Sequence, residues 1–445
     1  MNVSVNHNAI ARRTLRLSKN SFVRSVMVLS SGTAIAHAIQ AGSLPILTRL
    51  YSPANFQAAA IFQSLLFILS VASCFRFDMA IPLAKSSLVA LQLVVLSLLS
   101  CGIVAMLTTA LLLISPKSLL LLIGDATVIN YFWLLPIGIL LTGTLSTIQN
   151  WHIREKSFSA LSYSKIAQTL SLVATQVGSG IASLAPSGLI FGNLMQYPVG
   201  LVMLGRQVMR GMNGADREHL YSKSELWGTA RQFYKFPLYS TWESLANVAS
   251  IQLPLVIIGR LAVGPEAGYL LLAMMLMQAP LAILGTAIGQ VFLSRSAEHY
   301  HAGTLGSFTA TTIRSLAVVG TVPLLAIGIL SPTVIGTIFG AEWSRAGWLI
   351  LWMTPWFLMQ FLASPTSMVL HVTGHQKDAL ILQFLGLLIR VSAVLLAYMY
   401  NALIISEVYA ISGFVFYFLY LLTVISRAGC RCQEFLPWKL DVRSH

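Results

Sequence analysis

Twelve apolar stretches recur along this chain, at about 25–47, 58–81, 88–114, 131–151, 166–184, 188–205, 237–259, 268–292, 315–339, 346–370, 379–399 and 403–425. Each is close to the ~20 residues a helix needs to cross a hydrocarbon core. The longest uncharged one, LVALQLVVLSLLSCGIVAMLTTALLLI, fills 88–114. An unpaired backbone N–H or C=O in lipid costs several kcal/mol, and a helix pairs its own, so every stretch is expected to be helical. Composition agrees: 56% of the 445 residues are hydrophobic and 9% charged, against about 25% charged in a soluble domain. The expected fold class is an all-α integral membrane protein of about twelve transmembrane helices, in two six-helix lobes around a central cavity.

A net charge of +14 suits either a nucleic-acid binder or ordinary membrane topology, and position separates them. With the first segment inside, 23 of the 28 Lys and Arg fall on the expected cytoplasmic side, among them Arg76, Lys85, Arg154, Lys165, Lys235 and Arg427. Arg49, Lys117, Arg260 and Arg345 remain outside, and Arg390 lies within a span. The positive-inside rule then puts both termini in the cytoplasm, with no nucleic-acid partner. Ala36-His37-Ala38 mimics a signal-peptide cleavage site, but the apolar run continues past it, as a spanning segment does. Cys74 and Cys101 fall in or near spans and Cys430 and Cys432 in a reducing tail, so no disulfide framework is expected.

The chain divides into a basic N-terminus (1–24), a six-helix lobe (25–205), a polar inter-lobe loop (206–236), a second six-helix lobe (237–425) and a tail (426–445). A constant offset puts Phe22 on Phe233, Arg24 on Lys235, Arg49 on Arg260 and Leu50 on Leu261. Such parallel repeats are used by alternating-access transporters. No segment outside the spans exceeds roughly thirty residues, too short for a soluble catalytic domain. Walker A, HExxH and nucleophile-elbow sequences are absent, so no enzyme activity and no cofactor are expected.

Ionisable groups within spans are costly and usually face a cavity or a partner. Arg76, Asp78, Glu243, Arg390 and Glu407 qualify. Arg390 has no acidic residue three or four positions away, so its partner is either a phosphate, which suits its planar fork, or a carboxylate from another helix such as Glu243 or Glu407. Arg24 and Lys235 begin spans 1 and 7, while Arg49 and Arg260 end them. About 37 Å of helix separates the two ends of a span, so these cations are either successive phosphate stations or anchors that snorkel to the headgroups. Glu243 is the better coupling candidate, with helix packing as its equal alternative; Asp78 reads as an interfacial charge before a coupling site, Glu407 is a further coupling candidate, and the coupling ion, H+ or Na+, is left open. Gln278 and Gln290 are polar cavity candidates in span 8. His371, His375 and Asp378 are near one another, but Gly374 breaks the helical spacing a metal would need, so no metal site is expected. Trp343, Tyr131 and Trp151 read as interfacial belt residues.

The stretches LTRLYSPANF (47–56), SCFRFDMAIPLAK (73–85), FYKFPLYST (233–241), AIGQVFLSRSAE (287–298) and FGAEWSRAGW (339–348) resemble the Wzx-type oligosaccharide flippases of the multidrug, oligosaccharidyl-lipid and polysaccharide exporter superfamily. The resemblance implies a two-lobed fold with a central, often cationic cavity. It also implies export of an undecaprenyl-diphosphate-linked oligosaccharide from the cytoplasmic to the periplasmic leaflet of a bacterial inner membrane, for O antigen, capsule or a related polysaccharide. Membrane lipids, a polysaccharide polymerase and a chain-length regulator are the partners it suggests. On it, Arg390, Arg24, Arg49, Lys235, Arg260 and Arg76 become diphosphate candidates. A drug or ion antiporter of the same superfamily, and a membrane-embedded polymerase or acyltransferase, are the competing readings. The antiporter would prefer buried carboxylates, and the polymerase a large periplasmic loop.

Overall fold

The computed structural model describes residues 30–114, 126–213 and 220–430, which contain twelve long helices and no strand. The first six are α1 (30–50), α2 (Pro53–Ser73), α3 (Ser87–Ile114), α4 (Leu134–Arg154), α5 (Phe158–Ile181) and α6 (Ser187–Asn213). The second six begin with α7 (Thr241–Leu261), entered through a π-helical turn at Phe236–Ser240. Helix α8 runs from Glu266 to Pro280 and, through another π turn at Leu281–Gly285, on from Thr286 to His301. Then follow α9 (Leu305–Phe339), α10 (Ser344–Ala363), α11 (Gln376–Tyr400) and α12 (Ile405–Ala428).

On length and composition alone, eight of these are apolar enough to cross a membrane: α2, α3, α6, α7, α9, α10, α11 and α12. The other four carry His37 and Gln40 (α1), Gln149 (α4), Lys165 and Gln168 (α5) and Gln278 (α8). Those residues are cavity-facing, so each of the four less apolar helices borders the cavity and not lipid alone, as α2, α6 and α7 also do.

Local chemistry explains most boundaries. Ser52 caps α2, its Oγ accepting the Asn55 N–H, with Pro53 in the first turn, where a missing N–H costs nothing. Gly340 (φ +115°) ends α9 and Gly429 (φ +72°) ends α12, conformations that a side chain disfavours. Helix α2 stops earlier than its apolar run suggests, at Ser73, because Phe75 (φ +44°) and Arg76 (φ +59°) adopt left-handed conformations. Arg76 and Asp78 therefore lie beyond the helix, Asp78 opening a 3-10 turn at Asp78–Leu83, and not within a span as expected. Two consecutive non-glycine residues in that region store strain, and neither residue type announces it.

The polar stretch 206–236 is largely ordered helix where a loop was expected. Residues up to Asn213 extend α6, and Lys223–Gln232 form a short helix. Buried Gln92 of α3 clamps that helix: its amide donates to Glu225 (3.0 Å) and accepts from the Thr229 hydroxyl (2.7 Å). Replacing Gln92 by Leu should loosen the connection, and amide exchange in 223–232 should quicken by about tenfold or more, as expected for two buried hydrogen bonds worth ~0.5–1.5 kcal/mol each.

The two halves meet most tightly at one end of the bundle. There the α1–α2, α7–α8 and α9–α10 connections come together, and this is called the closed end. The Trp343 indole donates to the Thr48 carbonyl (3.1 Å) and packs edge-on against Phe56 and Tyr269. Trp343 is fully buried, so it is a seam residue and not the interfacial belt residue expected. The Gln57 amide donates to the Gly259 carbonyl (3.3 Å). At Gly268 the α2 backbone approaches so closely that an added Cβ would sit 2.1 Å from the Pro53 oxygen.

Candidate functional site

Below that seam the halves part around a cavity of about 450 Å³ between α1, α2, α4, α5, α6, α7 and α8. Its wall carries seven glutamines, Gln40, Gln63, Gln149, Gln168, Gln196, Gln252 and Gln278, together with Asn193, His37 and Lys165. Among the described residues no carboxylate lines it. Some amides hold the wall in shape. Gln168 donates to Ser164 (2.8 Å), Asn193 to the Leu189 carbonyl (3.0 Å), and Gln252 accepts from Ser64 across the two halves (2.8 Å). Others are left over: Gln63 Oε1 is unpaired among the described residues, and the side-chain amides of Gln40, Gln149 and Gln278 stand on the cavity wall without a side-chain hydrogen bond to the described residues. Amides that both donate and accept suit the hydroxyls of a sugar.

Two compartments continue toward the open end. One, about 370 Å³, shares Phe67, Thr142, Ser146, Tyr197 and Gln252 with the central cavity and adds Arg76, Asp78 and Asn247. The other, about 620 Å³, shares His37 and Gln278 and adds a largely apolar wall with Leu281, Gly285, Phe361, Pro365 and Met368.

The expected site residues separate sharply. Arg76 stands on the cavity wall, and Asp78 beside it is 4% exposed, accepting from Ser146 (2.6 Å). Gln278 lines two compartments. Arg49 points away from the cavity: its guanidinium reaches the Thr337 and Ile338 carbonyls (3.4 Å each) at the C-terminal end of α9, where a cation is favoured. Arg260 and Lys235 are exposed at opposite ends of α7 and off the cavity wall. Arg24 and the Gln290 side chain lie outside the described residues. Glu243 is half-buried in the first turn of α7, with no hydrogen bond or ion pair among the described residues.

Two expectations need correction. Arg390 is fully buried and touches neither cavity nor carboxylate. Its guanidinium is enclosed by Trp356 (4.8 Å), Phe416 (4.8 Å) and Tyr417 (5.5 Å). It makes no ion pair with Glu243 or Glu407 among the described residues, and its burial away from the cavity walls separates it from any ligand held there. Glu407 is instead held by Arg345 (2.6 Å), which also grips Glu266 (2.8 Å), tying α8, α10 and α12 together at the closed end. Replacing Arg345 by Met should destabilise the second half by about 2–5 kcal/mol, because two carboxylates lose their partner. Thermal unfolding in detergent measures this, and neutralising both acids as Gln in the same chain should recover most of it.

The residue sequence reading misplaced is Lys165. It was counted with the cytoplasmic cations because apolar windows stop at a charge. The helix in fact begins at Phe158, which carries Lys165 about 10 Å inward. It projects into the central cavity with no ion-pair partner among the described residues. The signal that identifies the wall is the recurrence of Gln or Asn inside otherwise apolar spans, in α1, α2, α4, α5, α6, α7 and α8 alike.

The family described as "Polysaccharide biosynthesis protein" matches residues 46–347. Among solved structures, the lipid II flippase MurJ in an inward closed conformation aligns with TM-score 0.67 at 12% identity, over 92% of this chain and 89% of that one. An inward-facing multidrug resistance MATE family transporter of the MOP superfamily aligns with TM-score 0.65 at 14% identity, over 91% and 98%. A MOP superfamily transporter from Pyrococcus furiosus gives 0.57 at 14%, over 92% and 96%. At these identities the likeness is one of fold. No curated protein sequence matches significantly.

Proposed function

The chain belongs to the polysaccharide biosynthesis protein family, and on that premise we propose that it flips a prenyl-diphosphate-linked oligosaccharide across the membrane by alternating access. The observation that carries this is the central cavity, an amide-rich wall with one lysine and no carboxylate. Such a wall suits hydroxyl-rich sugars joined to an anion. Lys165 and Arg76 are the cations that meet the diphosphate, and the compartment beside α8 and α10, more apolar than the central cavity, is where the prenyl chain leaves toward lipid.

Sidedness follows from charge. Arg154, Lys156, Arg206, Arg210, Lys223, Arg231, Lys235, Arg295, Arg314, Lys377 and Arg427 gather at the open end, against Arg49, Arg260 and Arg345 at the closed end. On the positive-inside rule the open end is cytoplasmic, and the conformation is ready to load. The membrane is then a bacterial inner membrane, the termini are cytoplasmic, and the product is exported for O antigen, capsule or a related polymer, with a polymerase and a chain-length regulator downstream. An inside-negative potential favours outward movement of a diphosphate by about 2.3 kcal/mol per charge per 100 mV. A drug antiporter fits this site less well, since a cationic drug finds no carboxylate in the central cavity.

The test is translocation of an undecaprenyl-diphosphate-linked oligosaccharide in vesicles reconstituted with the purified chain. Movement that undecaprenyl phosphate and cationic dyes fail to compete supports the proposal. No movement, or preferential dye transport, overturns it.

A further inference from the structure

Arg390 lies outside the cavity, yet it touches the helix that forms both cavity and seam. Its Nη1 donates to the Ser250 carbonyl (3.3 Å) and lies 3.4 Å from the Ser250 hydroxyl, both on α7. Four residues further along α7 stands Pro254, inside the helix. Proline has no N–H to give the carbonyl four residues back, and its ring pushes against that carbonyl. The Ser250 oxygen is therefore the one that Pro254 orphans, and Arg390 is its replacement donor. The next carbonyl, Ile251, accepts from the Tyr409 hydroxyl (3.0 Å), so α11 and α12 together brace the two carbonyls at the break.

The position of the break matters. On its open-end side, Asn247 and Gln252 of α7 line the cavity compartments. On its closed-end side, Gly259 accepts from Gln57 and packs against Ile61 of α2. We propose that Arg390 is a positioning residue for transport: it braces α7 at the Pro254 break and so couples the cavity-bearing segment to the seam-bearing segment. The aromatic box makes a cation tolerable there, because ring faces attract a desolvated guanidinium. Its Nε and Nη2 have no hydrogen-bond acceptor among the described residues, so what this arginine supplies is a donor to a carbonyl, held by rings, and not an ion pair.

The experiment reads the seam and needs no substrate, so it fails or succeeds independently of the flippase proposal. A single cysteine at position 57, in a chain with its native cysteines replaced by Ala, is labelled with an impermeant maleimide from the closed-end side. Arg390→Met should raise the labelling rate by about tenfold or more, the worth of one hydrogen bond from a charged donor. In a Pro254→Ala background, where residue 254 regains its N–H, the same substitution should change the rate by less than about twofold, since the donor is then redundant. If the effects of Arg390→Met and Pro254→Ala simply multiply, or if Arg390→Met alone leaves the seam unchanged, the brace is wrong. Should Arg390→Met fail to fold, the comparison is made with Arg390→Lys. Lysine keeps the charge in the box but ends about one bond short of Nη1, already 3.3 Å from the Ser250 carbonyl, so the rate should rise here too and the rise should vanish in the Pro254→Ala background; an unchanged rate, or the same rise in both backgrounds, overturns the proposal.

Discussion

Valine in place of Gly268 is expected to force the closed end open and stop transport. A Cβ at this position meets the Pro53 carbonyl oxygen at 2.1 Å and the Gln57 amide nitrogen at 2.9 Å. Both are backbone atoms of α2, so no rotamer relieves the clash, and α2 and α8 must separate. Overpacking of this kind costs about 1–3 kcal/mol or more, which shifts a closed-to-open ratio by about 5- to 150-fold. The strain falls only on the state in which the seam is shut. A cysteine at position 57 should therefore become reactive from the closed-end side, while the protein still folds and reaches the membrane. Gly42 is the control, because an added Cβ there meets nothing within 4 Å. Alanine at position 42 should leave labelling and transport unchanged. Normal transport by Gly268→Val would show that the seam does not have to close in the cycle.

The second large effect is expected at Lys165. Glutamine there should lower translocation of a prenyl-diphosphate oligosaccharide by about 10- to 150-fold, the worth of a charge-assisted hydrogen bond of ~1.5–3 kcal/mol. Glutamate should abolish it, since a carboxylate then faces the diphosphate in a cavity with no other acid in its central wall. Arginine should retain a measurable fraction. Stability should move the opposite way. The Lys165 side chain is exposed on the cavity wall and makes no ion pair among the described residues, so it adds little to the fold, and Lys165→Met should unfold at the same temperature as the parent or higher. Loss of transport with gain of stability is the signature of a residue kept for its ligand. Parallel loss of both would make Lys165 a structural residue.

Several features were legible in the chain before any coordinates. Uncharged runs such as 88–114 demand helices, and the offset pairing Arg49 with Arg260 places two helix ends correctly: α1 closes at 50 and α7 at Leu261. Hydropathy was a poorer guide wherever a helix borders the cavity. It trimmed α5 at its lysine and overran the end of α2, because a window sums polarity without knowing which side of the helix it lies on. The closed-end seam was invisible for a related reason. Trp343 looks like any interfacial tryptophan until Thr48, 295 residues away, is known to be its acceptor.

Lys165 and Arg390 make the division clear. Each is a single cation in or beside an apolar run; sequence reading leaves Lys165 among the cytoplasmic-side cations and expects a partner only for Arg390. Sequence alone determines that the chain is helical, membrane-embedded and strongly asymmetric in charge, because hydrogen bonding within a helix and the cost of burying charge act through near neighbours. Whether a cation faces an open cavity or a box of aromatic rings depends on how far each helix is rotated about its axis against five or six others. That rotation is set by packing between residues hundreds of positions apart, so only the tertiary structure puts Lys165 in the site and Arg390 behind it.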